Sequence, residues 1–152
     1  MSIILRAVTE SDLPILYEQQ LDPEATAMAA FPSRDHDAFI AHSAKIMADT
    51  SSIFKVIECD GQVAGSLVSW EMAGEWEVGY WLGREYWGKG IATQALKEHV
   101  STTKTRPLYA HVAQHNIGSW RVLEKNGFKI IGEDSYTNPA GVSVEEFILK
   151  LE

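Results

Sequence analysis

The residues best suited to chemistry sit at Trp87-Gly88-Lys89-Gly90-Ile91-Ala92-Thr93, where a Gly-Lys-Gly step leads directly into a run of helical periodicity. That chemistry is anion capture. The first N–H groups of a helix lack internal partners and lie at the positive end of its dipole. Glycine removes the side chain that would keep an anion from the backbone. A phosphate or pyrophosphate suits such a helix start, with Lys89 adding charge and the Thr93 hydroxyl a further donor. The same Gly-x-Gly spelling also serves plain turn chemistry. Two other phosphate motifs are excluded: a Walker A loop needs Ser or Thr directly after Gly-Lys, and a dinucleotide fingerprint needs a third glycine where Thr93 stands.

A second block, Asn116 to Phe128, reads as an amphipathic helix with Asn116 as N-cap and Gly127 as its left-handed stop. Metal chemistry is not expected. Cys59 is the single cysteine, and His111 and His115 fall across a strand end and a loop rather than on one helical face. His99 borders an apolar helix face and reads as structural.

The elements that must position these residues follow from periodicity. Ile3 to Val8 reads as a strand. Thr9-Glu10-Ser11-Asp12 resembles a capping box that opens a helix over Glu10 to Gln20. A short helix is expected around Glu24 to Ala30 and a longer one over Asp35 to Asp49. Ser52–Glu58 and Gln62–Trp70 form a hairpin through Asp60-Gly61, and Trp76–Leu82 adds a third strand through Ala73-Gly74. Then come helix Gly90–Ser101, strand Leu108–Ala113, helix Ile117–Asn126, and a closing hairpin of Phe128–Gly132 with Val144–Leu151. The expected class is α+β: a mostly antiparallel mixed sheet of about six to seven strands with helices on both faces.

The chain has 152 residues, which suits a single domain over 1–152. Its net charge of −8 opposes nonspecific nucleic-acid binding and favours cationic partners such as amines. No signal-peptide pattern or membrane-length apolar run is present, so a cytoplasmic protein without a membrane partner is expected. The sequence leaves a homodimer open.

Gly79-Tyr80-Trp81-Leu82, then Tyr86-Trp87-Gly88-Lys89-Gly90-Ile91-Ala92-Thr93, then the Asn116 block about 26 residues on, occur in one order. Together they resemble the GCN5-related N-acetyltransferase (GNAT) superfamily, closest to its ribosomal-protein-alanine, RimJ/RimL-like branch. The resemblance implies acetyl-CoA as cosubstrate and an amine as acceptor, either a protein N-terminus or a small molecule. It implies that Tyr80, Trp81 and Leu82 line the strand pairing with the pantetheine arm, with Trp87 beside the ligand. Gly88, Lys89, Gly90, Ile91, Ala92 and Thr93 would hold the pyrophosphate, and Asn116 and Ser119 would lie near the thiol. Two departures stand out. Glu85 replaces a frequent Gln or Arg, and Leu123 stands where many members carry an acidic Tyr; Ser119 is the best substitute acid.

The implied reaction is direct attack of an amine on the thioester in a ternary complex, which needs a base. Alternation puts Glu75, Glu77 and Gly79 on one strand face. Glu77 lies nearer the cofactor end and is the expected base. Backbone N–H groups of Tyr80 to Leu82 are expected to hold the oxyanion, and Gly79 to mark a bulge that splays the strand from the next. The alternative is a CoA-binding sensor that keeps the fold without turnover.

Overall fold

The computed structural model describes residues 1–152. Seven strands form one sheet: β1 (Ile3–Ala7), β2 (Ile53–Cys59), β3 (Gln62–Met72), β4 (Glu75–Leu82), β5 (Leu108–Ala113), β6 (Lys129–Thr137) and β7 (Ser143–Leu151). Five α-helices accompany it: α1 (Leu13–Gln20), α2 (Pro23–Ala29), α3 (His36–Ala48), α4 (Ile91–Thr102) and α5 (Ile117–Lys125). The sheet order is β1-β2-β3-β4-β5-β7-β6. Every neighbouring pair is antiparallel except β4–β5, which is parallel and holds only two residue pairs, Trp76 with Leu108 and Glu77 with Tyr109. The expected α+β class and strand number are what the structure has.

Side-chain alternation sends each strand's apolar residues to two cores. On one face, Ile57, Leu67, Val78, Leu108 and Leu149 pack with Ile91, Ala95 and Leu96 of α4 and Leu123 of α5. On the other, Val56 packs with Leu13 and Leu16 of α1 and with Phe39 and Ile40 of α3. Helices therefore cover both faces, as expected. The tight turns are also where expected. Asp60 and Gly61 have φ of 49° and 80°, and Ala73 and Gly74 have 53° and 82°. Two successive positive φ values give the turn whose twist matches that of its strands. No helix is long and apolar enough to cross a membrane.

Three expectations change. The helix forecast over Glu10 to Gln20 begins as a 3₁₀ turn, Glu10–Asp12, and becomes α-helical only at Leu13. The reason is Asp12, whose carboxylate accepts the Thr9 N–H at 2.8 Å and both Arg6 Nη groups at 2.8 and 2.9 Å. β6 runs to Thr137 rather than Gly132, because its ladder with β7 survives an irregularity between Ile130 and Gly132. Gly79 is not a bulge: the β3–β4 ladder passes unbroken through Val68 opposite Gly79. The strand does part from the next one, β5, past Glu77 as expected, but without a bulge.

The Arg6 contact, with burial opposing it and the Thr9 hydrogen bonds assisting, holds the Asp12 carboxyl at about 2, below the ordinary 3.8. A lowered folded value contributes stability that is present above pH 3.8 and is lost as pH falls through about 2. Asp12→Asn is therefore expected to cost about 2 kcal/mol at pH 7. Urea titrations at pH 7 and pH 2 check this, since the difference between variant and wild type should nearly vanish at the lower pH.

Candidate active site

The site begins at the end of β4. Past Glu77 and Tyr109 the two parallel strands diverge, so the β5-facing edge of β4 carries backbone groups with no strand partner. A cavity of about 120 Å³ fills the fork, reaching Gly79, Tyr80, His111, Val112, Asn116 and Ser119. A second cavity, about 240 Å³, runs from there along Trp81 and Leu82 to Trp87, Gly88 and Ala92 at the start of α4. Tyr80, Asn116 and Ser119 wall both cavities, which makes one groove from the helix start to the strand fork.

The helix start has the form an anion needs. Gly90 is the N-cap at φ 78°, and no side chain caps α4. Gly88 has φ 72°, and a Cβ on either glycine would meet nothing within 4 Å. The glycines are thus unobstructed, and the first N–H groups of α4 have no capping side chain. Lys89 Nζ lies 5.9 Å from the Tyr86 ring centre. Trp87 Nε1 donates to the Leu82 carbonyl at 3.1 Å, which holds the indole along the groove. Ile91 has a different part to play: its side chain is 1% exposed and belongs to the core, leaving only its backbone for a ligand. Thr93 is half-buried, and its carbonyl accepts from Asn126.

Asn116 is the N-cap residue of α5, but its side chain makes no cap hydrogen bond. Its carbonyl accepts from the Ser119 and Trp120 N–H groups, and the amide is left to face the groove. At the other end Gly127 (φ 90°) donates to Glu124 and Phe128 donates to Leu123, which completes the expected Schellman stop. Ser119 meets an unforeseen partner: the Tyr80 hydroxyl donates to its Oγ at 3.0 Å. Burial pushes the Tyr80 phenol up to about 12. Leu123 is 2% exposed and packs in the core.

Glu77 is buried, on the sheet face opposite α4, with half-buried Trp70 and Gly79 and exposed His111 around it. Trp70 stacks over Gly79, within 3.7 Å of where a Cβ would be. Glu77 Oε1 lies 3.3 Å from His111 Nε2, and Glu146 Oε1 lies 3.0 Å from His111 Nδ1. His111, not Glu77, walls the fork cavity. Glu75 is exposed beside the turn. The sequence offered no signal for Glu146, for the Tyr80 hydroxyl, or for any role of His111. Alternation within β5 puts His111 on the Glu77 face, but only the strand order brings the three side chains together. No cluster of three or more His, Cys, Asp or Glu is arranged to hold a metal. His99 is buried, with its pKa lowered first by desolvation.

A third cavity, about 580 Å³, lies between α2 and the β6–β7 loop and includes Phe31, Gln114, His115 and Glu145. Asn138 pins these segments together by donating to the Ala30 carbonyl at 2.9 Å. His115 Nε2 does the same from the β5–α5 loop, 2.8 Å from the Ala27 carbonyl.

Comparisons with known proteins bear on the family and the fold. The model of the acetyltransferase (GNAT) domain matches residues 2–129. No curated protein sequence gives a match. Among solved structures, the spermidine N-acetyltransferase from Vibrio cholerae in complex with CoA and spermine has a TM-score of 0.83 at 19% identity, covering 98% of this chain and 94% of that one. The aminoglycoside acetyltransferase AAC(6')-Ib in complex with coenzyme A has 0.76 at 20%, covering 97% and 94%. An acetyltransferase of the GNAT family from Bacillus anthracis has 0.81 at 17%, covering 98% and 93%. At these identities the likeness is one of fold. The family model reaches from the second residue to the first residue of β6, and on that match this chain belongs to the GNAT acetyltransferase family.

Proposed function

We propose that the chain is a single-domain, acetyl-CoA-dependent N-acetyltransferase that acylates a primary amine by direct attack in a ternary complex. The observation that carries this is the continuous groove from the uncapped glycine start of α4 to the fork between β4 and β5. The chemistry of the groove fits acetyl-CoA. The α4 N–H groups and Lys89 suit a pyrophosphate, and the apolar walls of Trp81, Leu82, Trp87 and Val122 suit the pantetheine arm. The unpaired edge of β4 offers backbone groups to its amides and to the thioester oxygen.

Amines arrive protonated at neutral pH, with pKa values of ~8 for an α-amine and ~10 for a lysine-like amine. Glu77 takes that proton, directly or through water. The freed nitrogen attacks the carbonyl carbon, and the C–S bond breaks. As the amide forms, the nitrogen sheds its second proton, which the Tyr80 hydroxyl, neutral at working pH, and Ser119 relay to the thiolate, so that both hydroxyls end as they began. The acceptor enters through the 580 Å³ cavity between α2 and the β6–β7 loop. The sequence motifs resemble the RimJ/RimL-like branch and leave a protein N-terminal α-amine and a small-molecule amine both open as acceptor. The relatives named for spermidine and aminoglycosides keep small amines in the panel.

The test is release of free thiol from acetyl-CoA against a panel of peptides, polyamines, amino acids and aminoglycosides. Thiol release with at least one amine, together with thermal stabilisation by CoA, is the expected result. At 100 times its dissociation constant, CoA should contribute ~2.7 kcal/mol. Stabilisation without turnover on any amine would instead favour a CoA-binding sensor, and absence of both would reject the reading.

A further inference from the structure

We propose that His111 is a positioning residue for the proton transfer: bridged between Glu146 and Glu77, it holds the Glu77 carboxylate aimed at the strand fork. The inference rests on the acetyltransferase reading and on Glu77 as the base.

The geometry spans three adjacent strands. Glu77 pairs with Tyr109, and alternation places His111 on that same face. Glu146 pairs with Ala113, which is also on that face. The three side chains therefore converge from β4, β5 and β7, with His111 Nε2 at 3.3 Å from Glu77 and Nδ1 at 3.0 Å from Glu146. An imidazole can donate from both ring nitrogens only as the cation. Two carboxylates this well buried, with side-chain exposures of 5% and 11%, need a positive charge between them. His111 supplies it and itself walls the fork cavity.

The other groups near this face leave that charge intact. From β6, Asp134 lies opposite Glu146, and Tyr136 has its phenol raised by burial and then by Glu146. On β5 itself, Tyr109 lies beside Lys150 of β7. From the α2 segment, Asp22 and Glu24 are engaged by Arg84. Glu146 and then Glu77 raise the His111 pKa to about 10. Imidazolium is thus the resting form throughout the neutral range. If it were neutral, His111 could donate to only one carboxylate, and Glu77 would lose its fixed orientation.

Glu146→Gln tests this, because it removes one of the two charges that keep His111 protonated and leaves Glu77 in place. The readout is kcat/KM of the variant divided by that of wild type from pH 6 to pH 9, with a lysine-like amine of pKa ~10 that stays largely protonated, and so in need of the base, across that range. The ratio should fall about tenfold across that range, with an inflection between about pH 7 and 9 as His111 returns toward its ordinary value. The inflection should vanish in the Glu146→Gln/His111→Gln double variant. A ratio independent of pH would mean that Glu146 is merely structural, and would overturn the inference while leaving the acetyltransferase reading intact. NMR of the His111 imidazole gives an answer without turnover. Protonation retained through pH 9 in wild type supports the bridge, and titration near pH 6.5 overturns it. If wild type binds CoA but acetylates no amine, both the reading and the inference fail.

Discussion

Glu77→Gln will lower kcat/KM by about 100-fold or more, while the affinity for CoA stays within about twofold. The substitution keeps the shape of the side chain, and an amide oxygen can still accept from His111. What it removes is the capacity to take a proton. Glu77 lies on the sheet face opposite α4 and its anion site, so donor binding has no reason to change. The deficit should shrink as pH approaches the acceptor's own pKa, ~10 for a lysine-like amine, because the free amine then needs no base. Steady-state kinetics from pH 6.5 to pH 10, with CoA affinity measured by calorimetry, decide it. Undiminished activity at pH 7 would remove Glu77 from the mechanism.

Gly90→Val will weaken CoA binding by about 30-fold, ~2 kcal/mol, the upper range for a charge at a helix end. Gly90 sits at φ 78° and ψ 8°, a conformation that a β-branched residue adopts only under strain. A Cβ there would meet no protein atom within 4 Å. It would instead crowd the approach of phosphate oxygens to the first N–H groups of α4 in the proposed site. Strain alone would lower stability, so Gly74→Val is the control. Gly74 has φ 82°, is equally unobstructed, and lies in the β3–β4 turn away from the groove. Both variants should lose stability of similar size, ~1–2 kcal/mol or more. Only Gly90→Val should lose CoA affinity. Equal CoA affinity in the two would show that the helix start does not hold the donor.

Local signals made most of the frame legible. Asp60-Gly61 and Ala73-Gly74 spelled their turns, Gly127 and Phe128 spelled the end of α5, and the periodicity of Ala92, Ala95 and Leu96 laid out α4. These are interactions within a few residues, which a chain declares in its own order. The open helix start was legible for the same reason, since a glycine step before a helix is a local object. The meeting of side chains at the strand fork was not. His111 and Glu146 are 35 residues apart and meet only because β7 lies between β5 and β6. No periodicity records that order. Tyr80 read as a backbone contributor because alternation fixes the face of a side chain and not what its hydroxyl reaches across the groove. The end of β6 was misjudged at Gly132, where a glycine in a strand looks like a stop and here accompanies an irregular step in the ladder.

The two-pair junction of β4 and β5 also has a mechanical meaning. The sheet behaves as two plates, β1 to β4 and β5 to β7, fastened at one corner by Trp76–Leu108 and Glu77–Tyr109 and braced by α4 against α5. The first plate carries the helix start and Glu77; the second carries His111 and Glu146 and leads into α5 with Ser119. Substitutions along the brace would reset the angle between the plates without altering either one. Tilting one half of such a molecule would alter the fork and the donor groove together, because Tyr80 of the first plate and Asn116 and Ser119 beyond the second wall both.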